Sequence, residues 1–210
     1  MPSRRNLNTL VTRVWSLAAP AYDLPLLQDW IYRPAQDEVI AELRAHGSRR
    51  IADIACGTGI LAARIAAELE PDKVWGIDMS EGMLAQARTR SAAVHWVYGP
   101  AEELPFGDAE LDAVVTTSAF HFFDQPAALR EFHRVLAPGG RVAIATFSPP
   151  QPAVLNRLSA RLPGPAHNPS PARLRELLRD AGLRVTDQHR VERPWWTRTI
   201  WDLITFGTKP

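Results

Sequence analysis

Cysteine is nearly absent from the 210-residue chain, where Cys56 stands alone. A single thiol excludes an intrachain disulfide and points to a reducing compartment. Long apolar runs are missing as well: no stretch reaches the roughly 18 residues that a membrane-spanning helix needs. The N-terminus carries Arg4, Arg5 and Arg13 but no apolar core long enough for a secretory signal. Excess charge is also lacking, since 24 Lys+Arg against 23 Asp+Glu leave a net charge of +1. The basic residues stand mostly singly, apart from pairs such as Arg4-Arg5 and Arg49-Arg50, so there is no strong footprint for nucleic acid. The histidines lack the paired spacing of zinc enzymes and Cys56 has no cysteine partner, so no metal site is expected. What is present, 46% hydrophobic and 22% charged residues, is the balance of a globular domain with chain enough for one full core. We expect a cytoplasmic protein, with weak interfacial contact to a membrane left open.

Strand and helix signals alternate along most of the chain. Residues 50–55 form a short apolar run ending in a glycine-rich loop, which predicts a buried strand. From Ile60 a helical stretch repeats Leu61, Ile65 and Leu69 and stops before Pro71. Lys73 to Asp78 predicts the next strand, and Ser80 caps a helix with Met83, Leu84 and Ala87 on one face. Val94 to Tyr98 and Leu111 to Thr116 are two more strands. Asp124 caps a helix with Pro126 in its first turn, Pro138-Gly139-Gly140 ends it, and Arg141 to Phe147 resumes a strand. This alternation predicts an α/β fold, a doubly wound and mostly parallel sheet covered on both faces. After a helix that starts at Ser170-Pro171 and stops at Gly182, two strands near 183–192 and 199–207 follow with no helix between them. They must pair antiparallel, as an edge hairpin. The proline-rich residues 148–171 are a candidate cover for the site or a long surface connection.

The chemistry concentrates in Asp53-Ile54-Ala55-Cys56-Gly57-Thr58-Gly59, between a strand and a helix. Gly57 and Gly59 allow a tight turn and a close approach of backbone to ligand. The N–H groups opening the next helix favour a negative group. Asp78 ends the next strand, roughly 20 residues on, where an acidic residue commonly bonds ribose hydroxyls. These features alone fit a dinucleotide and S-adenosylmethionine equally, since Gly57, Gly59 and Ala62 match the loose dinucleotide pattern. Asp53 tilts the balance: it would repel a pyrophosphate but favours the cationic amino group of S-adenosylmethionine.

Four segments carry a wider resemblance: Asp53 to Gly59, Gly76-Ile-Asp-Met-Ser-Glu-Gly-Met-Leu, Ala101-Glu-Glu-Leu-Pro-Phe-Gly-Asp and Arg134-Val-Leu-Ala-Pro-Gly-Gly-Arg. In order and spacing, residues 20–147 resemble class I S-adenosylmethionine-dependent methyltransferases, in pattern the ubiquinone/menaquinone-biosynthesis-like branch of small-molecule enzymes. The resemblance implies a Rossmann-like sheet of seven strands in a single domain of residues 1–210. Within it, residues 1–45 would be a helical N-terminal extension or lid, 46–147 the cofactor-binding core, and 148–210 a substrate-side segment with the edge hairpin. It also implies contacts. Ala55, Gly57, Thr58 and Gly59 would line the methionine and ribose portion, Asp78 would bind the ribose hydroxyls, and Met79 would pack on the adenine. Ala101 and Glu102 would border the adenine edge, Thr117 would lie beside the methionine part, and Tyr22 would help close over the cofactor. One departure stands out. Where the family often has Gly-Asp-Ala-Glu, this chain has Gly99-Pro100-Ala101-Glu102, so Glu102 or a backbone carbonyl must take the adenine amino group.

Methyl transfer needs alignment and a way to lose a proton more than it needs reactive side chains. His121, in Phe120-His121-Phe122-Phe123 after the fourth strand, is the candidate base or substrate-orienting group; packing under the pocket is its structural alternative. Trp15, Trp30, Tyr32, Trp195, Trp196 and Trp201 are candidate walls for a hydrophobic small-molecule acceptor, of quinone, lipid or secondary-metabolite type. Nucleic-acid base methylation is not expected, because Thr116-Thr117-Ser118-Ala119 replaces the Asn/Asp-Pro-Pro-aromatic segment of those enzymes. An NAD(P)-dependent oxidoreductase and a non-catalytic S-adenosylmethionine-binding protein are the alternatives.

Overall fold

The structure, a computed structural model, describes residues 28–149, 168–197 and 200–210. Tyr22, Trp15 and residues 150–167 of the proline-rich stretch lie outside the described residues.

Strands β1 (Arg50–Ile54), β2 (Lys73–Asp78), β3 (His95–Tyr98), β4 (Leu111–Thr117), β5 (Leu136–Phe147), β6 (Arg184–Arg190) and β7 (Asp202–Thr208) form one sheet in the order β3-β2-β1-β4-β5-β7-β6. The first five run parallel, and β7 pairs antiparallel with both β5 and β6. The expected doubly wound sheet with its antiparallel edge hairpin is therefore present. Both faces are covered, as buried parallel strands require. Helices α1 (Arg33–Ala45) and α2 (Ile60–Leu69) close one face over Ile51, Val74, Ala113 and Val115. Helices α4 (Gln125–Val135) and α5 (Pro171–Asp180) close the other over Ile54, Ile77, Val114 and Ile144. Helix α3 spans Glu81–Arg90 and buries Met83, Leu84 and Ala87, the face predicted for it.

The caps behave as their side chains dictate. Ser80, Asp124 and Ser170 accept from the backbone N–H of Met83, Ala127 and Arg173 at 3.2, 3.2 and 3.3 Å, satisfying donors that a helix start leaves unpaired. One boundary differs from expectation. Helix α4 ends at Val135, and Leu136 already pairs with Leu111, so Pro138-Gly139-Gly140 lies inside β5 rather than closing the helix. The register jumps between Leu111 and Ala113, and Gly139 takes φ +80°. The proline and glycines thus make a bulge, held by reciprocal bonds between Gly139, Gly140 and Lys209. No helix among the described residues is long and apolar enough to cross a membrane.

Candidate functional site

All parallel strands point their C-terminal ends to one sheet edge, where ligand crevices of such folds open. The ends of β1, β2, β3 and β4 and the loops after them meet there, and they carry Asp53 to Gly59, Asp78 and Met79, Ala101 and Glu102, and Thr117 to His121. Asp53 and Ile51 alternate to the same face of β1, so Asp53 lies under the start of α2. It is 1% exposed, has the Ala62 backbone N–H on the side that favours its charged form, and keeps Oδ2 buried with no partner among the described residues. Burial first, and the negative charge of Asp78 second, push its carboxyl well above the ordinary range.

Asp78 ties the two loops together. Its Oδ2 accepts the Gly57 N–H and its Oδ1 the Ser80 N–H, both at 2.8 Å. Burial raises its pKa and these backbone donors oppose the rise. The loop itself is tightly wound: Ala55, Gly57 and Gly59 take φ of +55°, +55° and +79°. Ala55 is the one of the three whose side chain disfavours that conformation. Beside it, burial and the two carboxylates push the Cys56 thiol up as well, so it is an un-ionised packing group.

The two glycines do different work. A Cβ on Gly57 would meet nothing within 4 Å, so this is the residue over which a ligand can approach the backbone. A Cβ on Gly59 would sit 2.8 Å from Cζ3 of Trp96 and 2.9 Å from Cβ of Ala87. Its freedom therefore serves helix–strand packing rather than ligand approach. Gly76 repeats the pattern, with Trp96 Cε3 at 2.5 Å and Cys56 Sγ at 3.0 Å from the same hypothetical atom. The indole fills a slot made by two glycines and is pinned by its Nε1–H to the Ser91 carbonyl at 3.0 Å. Nothing in the sequence alone singled out Trp96.

Thr58 is buried, Met79 and Thr117 are half-buried, and Ala101 is 5% exposed within the core. Glu102 Oε1 accepts the Asp124 N–H at 2.8 Å, so this carboxylate organises the entrance to α4 at the crevice rim. His121 lies on a 3₁₀ turn, Phe120–Phe122, its ring tilted 48° against that of Phe122 with centroids 4.0 Å apart. Burial holds its pKa down to about 4, so the imidazole is neutral at pH 7, and its buried Nδ1 has no partner among the described residues. No group of three metal-ligating side chains occurs among the described residues.

Beyond the crevice on the same edge, the aromatics gather. Trp201 precedes β7 opposite the end of β5, and Trp30 packs on Trp196 at 5.7 Å and Trp195 on Trp196 at 5.6 Å. Tyr32 lies with Trp30 in the π-helical turn Gln28–Tyr32. A residue that sequence reasoning missed holds them. The Arg193 side chain, 1% exposed, donates to the carbonyls of Trp30 and Ile31 at 2.8 and 2.7 Å and pairs with Asp202. It thus clasps the segment before α1 to the start of β7.

The chain's residues 51–140 match a family described as a methyltransferase domain. A demethylmenaquinone methyltransferase of Deinococcus radiodurans is 31% identical over 205 residues, covering 83% of this chain and 85% of the relative. A ubiquinone/menaquinone biosynthesis C-methyltransferase of Rubrivivax gelatinosus is 36% identical over 144 residues, covering 67% and 57%. Among solved structures, magnesium protoporphyrin IX methyltransferase of Synechocystis, with bound S-adenosylhomocysteine, superposes with a TM-score of 0.66 at 21% identity, covering 90% and 89%.

Proposed function

The chain belongs to the class I S-adenosylmethionine-dependent methyltransferases, like the ubiquinone and menaquinone biosynthesis enzymes, and from that premise we propose that it methylates a small hydrophobic acceptor, a quinone precursor first among them. Its cofactor is S-adenosylmethionine. The oxidoreductase alternative, which the glycine loop alone leaves open, falls with that membership.

The observation that carries the assignment of the crevice is Asp53. A buried carboxyl with one oxygen unpartnered among the described residues, its charged form disfavoured first by burial and then by Asp78, is stabilised as the anion by a cation beside it. It would receive the ammonium group, while Asp78 turns to the ribose hydroxyls and the open side of Gly57 lets the ligand lie against the backbone. Ala55, Thr58 and Gly59 shape the loop, and Met79, Ala101 and Glu102 border the adenine, with Glu102 standing in for the acid that Pro100 replaces. Thr117 closes the methionine end. When bound, the cofactor supplies a methyl group already activated on a sulfonium. What the chain adds is alignment and a dry, preorganised site. His121, neutral and with Nδ1 unpartnered among the described residues, would accept a hydrogen bond from an acceptor hydroxyl, orient it and take its proton at Nδ1. The tryptophans past the rim support a hydrophobic acceptor, and the segment before α1, whose Trp30 and Ile31 carbonyls Arg193 holds, supports a covering role for the N-terminal extension.

The test is methyl transfer from labelled S-adenosylmethionine to a panel holding a demethylmenaquinone-type quinol, a simple phenol and polar amines. Label in the quinol, reduced at least tenfold in His121→Ala, is the expected result. Label in the amines alone would overturn the acceptor assignment, and full turnover by His121→Ala would overturn the role of the imidazole.

A further inference from the structure

A second concave feature lies on the edge opposite the cofactor crevice. There the register places Arg141 of β5 opposite Thr208 of β7, and Thr208 opposite Arg184 of β6, all remote from the C-terminal ends of the parallel strands. A cavity of about 400 Å³ between α5 and the start of β6 is lined by Arg175, Arg179 and Arg184 together with the Gly182–Val185 turn and Pro210. Arg175 and Arg179 are four residues apart on α5 and share one helical face. Gly182, at φ +82°, then reverses the chain so that Arg184 returns beside them. That turn is held by packing, because a Cβ on Gly182 would lie 3.1 Å from Nε2 of His133.

The guanidinium groups of the three have no ion-pair partner among the described residues. Arg173 reaches Glu176, Arg134 reaches Glu131 and Asp108, and Arg141 pairs with Glu42. The guanidiniums of Arg175, Arg179 and Arg184 make no hydrogen bond or ion pair with any described residue. Three like charges around one cavity raise a concentrated positive potential. Their planar forks match phosphate oxygens in pairs. The cavity volume is that of a small-molecule site, which a compact anion fills and a polymer would bridge. We propose that this cavity is a second ligand site, separate from the crevice, that takes a small molecule bearing a phosphate or pyrophosphate group.

Isothermal titration of the full chain with inorganic pyrophosphate at low ionic strength tests it. The comparison is with the Arg175→Gln/Arg179→Gln/Arg184→Gln variant, and both are titrated with and without saturating S-adenosylhomocysteine. The three side chains are exposed, so the variant is expected to fold, and unchanged S-adenosylhomocysteine affinity verifies that it has. Expected are saturable one-to-one binding of pyrophosphate, weaker binding of orthophosphate, indifference to S-adenosylhomocysteine, and a loss on the order of tenfold or more for each guanidinium removed. Arg179→Lys, which keeps the charge but loses the fork, should fall between. Equal binding by the triple variant, or displacement of pyrophosphate by S-adenosylhomocysteine, would overturn the proposal. So would a short RNA bound through the same arginines that pyrophosphate cannot displace, since that is a polymer surface.

Discussion

Replacing Gly59 by alanine separates two reasons for a glycine in the same loop. At φ +79° any side chain is strained by roughly 1–2 kcal/mol, and stiffening of the unfolded chain returns about 0.4–1 kcal/mol. The new Cβ would also stand 2.8 Å from Trp96 Cζ3, closer still to Cη2, and 2.9 Å from Ala87 Cβ. Trp96 cannot swing away without losing its bond to the Ser91 carbonyl, and overpacking of this kind costs about 1–3 kcal/mol. The net loss is about 2–4 kcal/mol, or roughly 4–15 °C in Tm for a chain of this length. Gly57→Ala is the control. Its φ of +55° carries similar strain but its Cβ meets open space, so it should cost about 1 kcal/mol or less. Thermal and denaturant melts of both variants, and of Gly59→Ala combined with Trp96→Leu, measure the difference. The double variant should be less damaged than the sum of its parts by about 1 kcal/mol or more. Equal melting of the Gly57 and Gly59 variants, with no coupling to Trp96, would refute the packing account.

Three further outcomes follow from the same geometry. Gly57→Ala, though mild for stability, should weaken S-adenosylhomocysteine binding at least tenfold by calorimetry, because it fills the side where the ligand approaches. Asp53→Asn should bind the ligand more weakly yet make the free protein more stable at pH 8. A carboxyl raised above its unfolded value stabilises the fold fully below about pH 4 and loses that contribution as pH rises through its folded value. Denaturant melts between pH 4 and 8 should therefore show a shallower decline in the variant. Arg193→Met leaves Asp202 buried without its partner and frees the carbonyls of Trp30 and Ile31. It should cost about 3–5 kcal/mol and expose the segment before α1 to limited proteolysis, whereas unchanged cleavage would argue against the clasp.

The pattern-based readings hold where a residue's environment is local. Ser80, Asp124 and Ser170 cap the helices assigned to them because a cap is an interaction over three residues. The alternation of strands and helices, broken once before the final pair, was enough for the sheet and its antiparallel edge, because period and connection length leave few topologies. The segments that carry the family resemblance are contiguous, so cofactor class too was legible in the chain itself.

Other features needed the fold. Pro138-Gly139-Gly140 looks like a helix stop from its composition, yet the pairing of Leu136 with Leu111 makes it a strand bulge, and that pairing joins residues far apart in the chain. Glu102 was expected at the adenine edge, and tertiary contact commits one of its oxygens to the Asp124 N–H. Trp96 behind Gly59 and Gly76, Arg193 across Trp30 and Asp202, and the three arginines around one cavity are likewise meetings of distant segments. Sequence by itself determined which elements form, because backbone propensity and hydrophobic period act over a few residues, and it pointed to the cofactor through Asp53 and the contiguous segments that carry the resemblance. Only the tertiary structure decided what each glycine is for and which charges are left without partners, because steric contact and Coulomb pairing depend on distance in space and not on separation along the chain.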